Sequence, residues 1–163
     1  MKAKLAIFTL IMVTLSSFLA KGDRTNPAVE RTVAWDSPET EALFQRACMD
    51  CHSNETVWPW YSNFAPISWS IIHHVNEGRE HFNISMNDMG RHAHEAGEEV
   101  LEEEMPITSY LSQHPEARLT TEEREALALG MERTFGAEWG DDHHDDHGDH
   151  GDNDHEDHDD HDH

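Results

Sequence analysis

Apolar positions recur at helical spacing in four places along the chain, parted by short breaks rich in proline and polar residues. The first opens at Ser37-Pro38-Glu39-Thr40-Glu41, with a capping serine, proline at the first helical position and acids in the first turn. Leu43, Phe44, Ala47, Cys48 and Cys51 follow on one face, which predicts a helix carrying both cysteines near its end. The second opens at Pro66, turns Ile67, Ile71, Ile72 and Val75 inward and is expected to stop at Gly78. The third is predicted from Ser85 or Asn87 through residue 104, with Met89, Ala93, Ala96, Val100 and Leu101 inward and a run of glutamates outward. Met105-Pro106 ends it, Ile107 to Leu111 reads as a short turn, and His114-Pro115 breaks the chain again. Thr120-Thr121-Glu122-Glu123 is a capping box that starts the fourth helix, with Leu127, Met131 and Phe135 inward and Gly136 as its C-cap. No stretch alternates with period two, so the body is predicted to be all-α.

Both ends of the chain depart from this pattern. Lys2 and Lys4 precede a mostly apolar run, Leu5 to Ala20, and Ala20-Lys21-Gly22 offers a small-x-small cleavage site. Residues 1–22 are therefore expected to be an export signal cleaved after Gly22; the alternative is an N-terminal anchor, although the run is short of the ~20 residues a span needs. Residues 141–163 hold 8 His, 11 Asp and 1 Glu, with Gly and Asn as the only other residues. Having no apolar side chain to bury, this tail is expected to be disordered. Residues 23–140 remain for one domain, enough for a single small core.

Charge narrows the choice of partners. The formal net charge is −23, of which the leader contributes +3, the body −14 and the tail −12. Nucleic acid and anionic membranes are excluded as default partners. The tail's His143, His144, His147, His150, His155, His158, His161 and His163 suit weak, exchanging binding of zinc, nickel or copper, and the competing reading is a solubilising acidic tract.

The chain's only two cysteines stand in Cys48-Met49-Asp50-Cys51-His52. C-x-x-C-H is the attachment signature of c-type haem. Two thiols one turn apart reach the two vinyl groups, and the adjacent imidazole serves as proximal iron ligand. A redox dithiol would sit in a βαβ pattern, and none surrounds it. A zinc half-site would need a second C-x-x-C, which the sequence lacks. The aromatic cluster Val57-Trp58-Pro59-Trp60-Tyr61 lies just downstream and is expected to wall the haem, with core packing as the bland alternative. For the second axial ligand the first choice is Met105, 53 residues after His52 in a Met-Pro pair where a thioether can project from irregular backbone. The alternative is His73 or His74, which cannot both face inward because a helix turns ~100° per residue.

The segment ALFQRACMDCHSNETVWPWYSNFAPISWSIIHHVNEGREHFN resembles the bacterial haem-binding domain family of small exported mono-haem c-type cytochromes. So do RTNPAV upstream, EMPITSY downstream, and HPEARLTTEEREAL. The likeness spans about residues 24–135 and leaves out the tail. It implies a small cytochrome c-like helical domain wrapped around one covalent haem c. Cys48, Cys51 and His52 are then its attachment and proximal groups, and Met105 matches the family's Met-Pro position, which looks like the distal ligand. Ile107 stands where the family usually has a second proline. His73 matches a family histidine, whereas His74 replaces a more usual acid.

Together these features predict a periplasmic mono-haem carrier of single electrons between donor and acceptor proteins. The competing classes are a haem-based sensor of small ligands and a metal-handling protein that uses the tail. An enzyme is least supported: His81, His92 and His94 suit a peroxidase only by residue type, and exposed positions explain them as well.

Overall fold

The computed structural model describes residues 2–19, 23–90 and 92–139. Among these residues the chain forms α-helices and short 3-10 turns, with no strand, in agreement with the all-α expectation. The helices are α1 (Lys2–Leu19), α2 (Pro38–Ala47), α3 (Met49–His52), α4 (Ile67–His81), α5 (Ala96–Leu101), α6 (Thr108–Leu111) and α7 (Thr121–Trp139). The 3-10 turns are Trp60–Asn63, Ala93–Glu95 and Pro115–Ala117. The call of residues 141–163 as a disordered metal-binding tail lies outside the described residues, as does the cleavage site at Ala20-Lys21-Gly22.

The core forms where α2 and α5 cross α7. Leu127, Met131 and Phe135 recur every four residues along α7 and are fully buried, as the pattern predicts. Leu43, Phe44 and Ala47 of α2 and Val100 of α5 close over them. Gly130 permits that crossing, because a Cβ there would stand 2.1 Å from the Thr40 hydroxyl on α2. Phe44, Phe82 and Phe135 meet edge to face at 5.8–6.0 Å, and Trp35 stacks obliquely on Phe44 at 5.0 Å. Both predicted helix starts are in place. Ser37 Oγ accepts the Thr40 N–H at 3.1 Å, and Thr120 and Glu123 exchange reciprocal side-chain bonds to backbone N–H groups at 3.2 and 2.9 Å.

Helix ends differ from expectation in five places. α2 stops at Ala47, and Cys48 (φ −124°) breaks it, so the cysteine motif rides on a separate turn, α3. α4 runs through Gly78 to His81. Gly78 is there for closeness, since a Cβ would lie 2.7 Å from the Cys51 carbonyl oxygen. α7 runs through Gly136 to Trp139, and Gly136 does not take the left-handed backbone of a helix stop. Residues 85–90 form a turn followed by bends in place of the third helix's first half. There Ser85 accepts the Asn54 N–H on its hydroxyl and the Glu30 N–H on its carbonyl, while Asn83 N–H donates to Met89 O at 2.8 Å. These long-range polar pairings displace the local helix. α5 then ends at Leu101, which is exposed and not inward. The stop is Glu103, left-handed at φ +66°, with Glu104 and Met105 N–H groups both donating to Glu99 O at 3.0 Å.

Gly78→Ala is expected to push α3 off α4 and to cost about 1–3 kcal/mol, read from the denaturation midpoint at unchanged slope.

Candidate functional site

Residues 48–56 are held in place by partners distant in sequence. Ile84 N–H donates to His52 O at 3.0 Å. Asn54 is buried and is bonded on every side: its side-chain amide donates to Ala28 O at 2.8 Å, and its carbonyl oxygen accepts from Asn83 at 2.9 Å. Arg79 reaches from α4 to Ser53 O (2.8 Å), Thr56 Oγ1 (2.8 Å), Asn26 Oδ1 (2.9 Å) and Thr25 O (3.2 Å). It thereby ties the leader, the loop after α3 and α4 into one unit. Asp50 accepts the Val57 N–H on one oxygen and the Tyr110 hydroxyl on the other, both at 2.9 Å. Burial, followed by the Asp50 charge and hydrogen bond, pushes the Tyr110 hydroxyl well above the ordinary phenol value, so it stays a donor.

A cavity of about 370 Å³ opens beside this turn. Cys48, Cys51 and His52 line one part of it and Met105 another. Phe44, Ala47, Phe82, Val100 and Met131 supply apolar wall. His52 Nδ1 lies 2.9 Å from the Phe82 carbonyl oxygen. A carbonyl only accepts, so Nδ1 carries the proton and Nε2 keeps the lone pair a metal needs. Desolvation dominates at this imidazole and lowers its pKa, against the raising effect of carbonyls of Phe82 and Gly78. The ring is therefore neutral at neutral pH.

The two thiols are free, with no disulfide between them. Burial pushes Cys48 up to about 12 and Cys51 up to about 11; the neighbouring Cys51 adds to the first shift and Asp50 to the second. Redox-active dithiols carry a lowered pKa, so these sulfurs are poorly suited to disulfide exchange.

The donor set and the cavity fit a haem: a neutral imidazole, a thioether and two protonated thiols bound one largely apolar space, which is what a flat apolar ring with a central iron requires. The Haem-binding domain family model matches residues 9–133, well over half of the chain. The chain belongs to the haem-binding domain family. It binds haem, and its all-helical fold is built around that task. No curated protein and no solved structure matches the chain significantly.

In this haem-binding domain the other predicted residues fall unevenly. Of the two histidines weighed as alternative distal ligands, His73 is exposed, pairs with Glu77 at 3.2 Å and does not line the cavity, whereas His74 lines it. Tail histidines 143–163 lie outside the described residues, and no cluster of metal-ligating side chains occurs among the described ones. The aromatic cluster does not wall the cavity. Val57, Pro59, Trp60 and Tyr61 line an adjoining groove instead, and the aromatic that borders both spaces is Tyr110. His81 and His92 are exposed, as expected, and they also border the cavity with their rings 5.0 Å apart, while His92 bonds Glu95 at 2.8 Å. Sequence spacing gave no sign of that pair, because Gly90 folds residue 92 back onto the end of α4. There Gly90 adopts φ +98°, and a Cβ would stand 2.5 Å from His81 O.

The lowered His52 value has a sign. Folding favours the neutral ring, so the stability it contributes is full above the ordinary value of ~6.5 and is lost as pH falls through the lowered one. The haem-free chain is expected to lose stability between pH 7.5 and 5 in denaturant melts, and a His52→Asn chain to lose measurably less.

Proposed function

We propose that this haem-binding domain is an exported mono-haem c-type cytochrome that carries single electrons. The observation that carries the reading is the convergence of Cys48, Cys51, His52 and Met105 on one apolar cavity. When bound, haem supplies an iron that takes up and releases one electron. Cys48 and Cys51 would hold the haem through thioether links, each thiol's hydrogen being retained on the former vinyl group so that no oxidant is consumed. His52 would hold the iron through Nε2, with the Phe82 carbonyl fixing the ring, and Met105 would supply the second protein ligand. Phe44, Phe82, Val100 and Met131 keep water from the ring. No substrate site is needed for this role, and the protein is read as a carrier and not an enzyme. The basic and apolar leader supports export to the periplasm, where redox donor and acceptor proteins would meet it.

A second reading is a small-ligand sensor, favoured by the His81–His92 pair, which gives the cavity groups able to hydrogen-bond a diatomic ligand. The test is the optical spectrum of matured holoprotein in both oxidation states, followed by exposure of the reduced form to CO. The carrier gives low-spin spectra with a weak far-red sulfur-to-iron band and reacts slowly with CO. Rapid CO binding by the unaltered protein would select the sensor.

A further inference from the structure

From Thr56 to Ile72 the chain carries no Asp, Glu, Lys, Arg or His, in a protein whose net charge is −23. Four large apolar side chains of this stretch stand in water: Val57 (77 % exposed), Trp60 (75 %), Phe64 (51 %) and Ile67 (52 %). They form one patch. Trp60 meets Phe64 edge to face at 6.0 Å, and Val57, Trp60 and Ile67 share the rim of a groove of about 530 Å³ floored by Tyr61 and Ile71. An uncharged aromatic face of this kind marks an interaction surface.

The chain itself indicates what covers it. Arg24 donates to Ser62 Oγ and Asn63 Oδ1, and Asn26 accepts from the Trp58 indole at 3.2 Å, so the segment directly after the leader lies on this aromatic turn. Leu19, the last residue of α1, is four residues from Asp23 and therefore within ~15 Å of it. The side chains of Leu5, Ile7, Phe8, Leu10, Ile11 and Leu15 are all exposed, and α1 supplies no residue to the core. A mostly apolar helix thus ends a few residues before the segment that lies on the uncharged aromatic turn. Aromatic side chains beside a lipid-seeking segment are the arrangement found at membrane–water interfaces.

We propose that the face formed by Val57, Trp60, Phe64 and Ile67 rests on a lipid bilayer surface, with residues 1–22 retained as the N-terminal anchor and α1 holding the domain there. The chain is strongly acidic outside this stretch, so neutral zwitterionic lipid is the preferred surface. The groove shares Cys51, His74, Ile107 and Tyr110 with the haem cavity, which brings the cavity's Cys51 side close to the lipid. This face does not depend on the redox role.

Hydroxyl-radical footprinting of full-length holoprotein in phosphatidylcholine vesicles tests it, each residue being normalised to its reactivity in the denatured chain. Trp60 and Phe64 are expected to be protected about threefold or more. Trp69 is 52 % exposed, two positions beyond Ile67 and ~200° round α4. It is expected to stay reactive, as are Leu101 and Leu129. The protection should persist in 1 M salt, because no charge carries it. Equal reactivity of Trp60 and Trp69 in vesicles would overturn the proposal. So would protection of Trp60 and Phe64 without lipid, in the chain beginning at Asp23, if it grew with protein concentration; that result would assign the face to a second copy.

Discussion

Met105→Ala is expected to turn a low-spin holoprotein high-spin, to open its reduced form to rapid CO binding and to lower its reduction potential by on the order of 100 mV. Methionine opposite histidine raises a haem potential, and alanine cannot reach the iron. The loop should survive the change. Glu99 O still receives the N–H groups of residues 104 and 105, and Arg124 still pairs with Glu103 at 3.1 Å. Loss of a half-buried side chain costs about 1–3 kcal/mol, which a melt of the same variant would report separately from the spectrum. Optical and EPR spectra with a potentiometric titration make the measurement. An unchanged low-spin spectrum would remove Met105 from the iron and direct attention to His74, which borders the same cavity.

The second large effect is expected from Cys48→Ala with Cys51→Ala. Matured in a host able to attach haem, the double variant should run colourless on a haem-stained denaturing gel, and its intact mass should lack the prosthetic group. Each single variant should keep one thioether and one haem mass. The fold should survive the loss, because α3 is fixed by Asn54, Arg79 and Tyr110 and not by the sulfurs. Haem that remained attached to the double variant through denaturation would refute c-type attachment.

The sequence revealed what depends on neighbours along the chain. Ser37-Pro38 and the Thr120–Glu123 box announced their helices because capping is local chemistry. Leu127, Met131 and Phe135 were legible because helical period and burial agree along α7. The motif at Cys48, Cys51 and His52, and Met105 as a candidate ligand, needed only residue type and order. What stayed hidden depends on contacts made across the fold. Gly78 and Gly136 looked like stops, yet Gly78 is a packing surface for Cys51, and Gly136 lacks the left-handed backbone a stop requires. Ser85 and Asn87 looked like caps, but residues 30, 54 and 89 compete for the backbone there. The aromatic cluster was assigned to the haem because it follows the motif closely in sequence, whereas α3 and α4 turn it into the neighbouring groove.

Several of the groups that enclose Cys48–His52 follow it in the chain, among them Arg79, Phe82, Met105 and Tyr110. A polypeptide delivered N-terminus first therefore shows two bare sulfurs before the parts that will bury them have arrived. Loading of the prosthetic group has its opening in that interval, while the turn is still reachable from outside. On the proposed c-type attachment, the Tyr110 hydrogen bond to Asp50 is expected to form after the sulfurs are loaded.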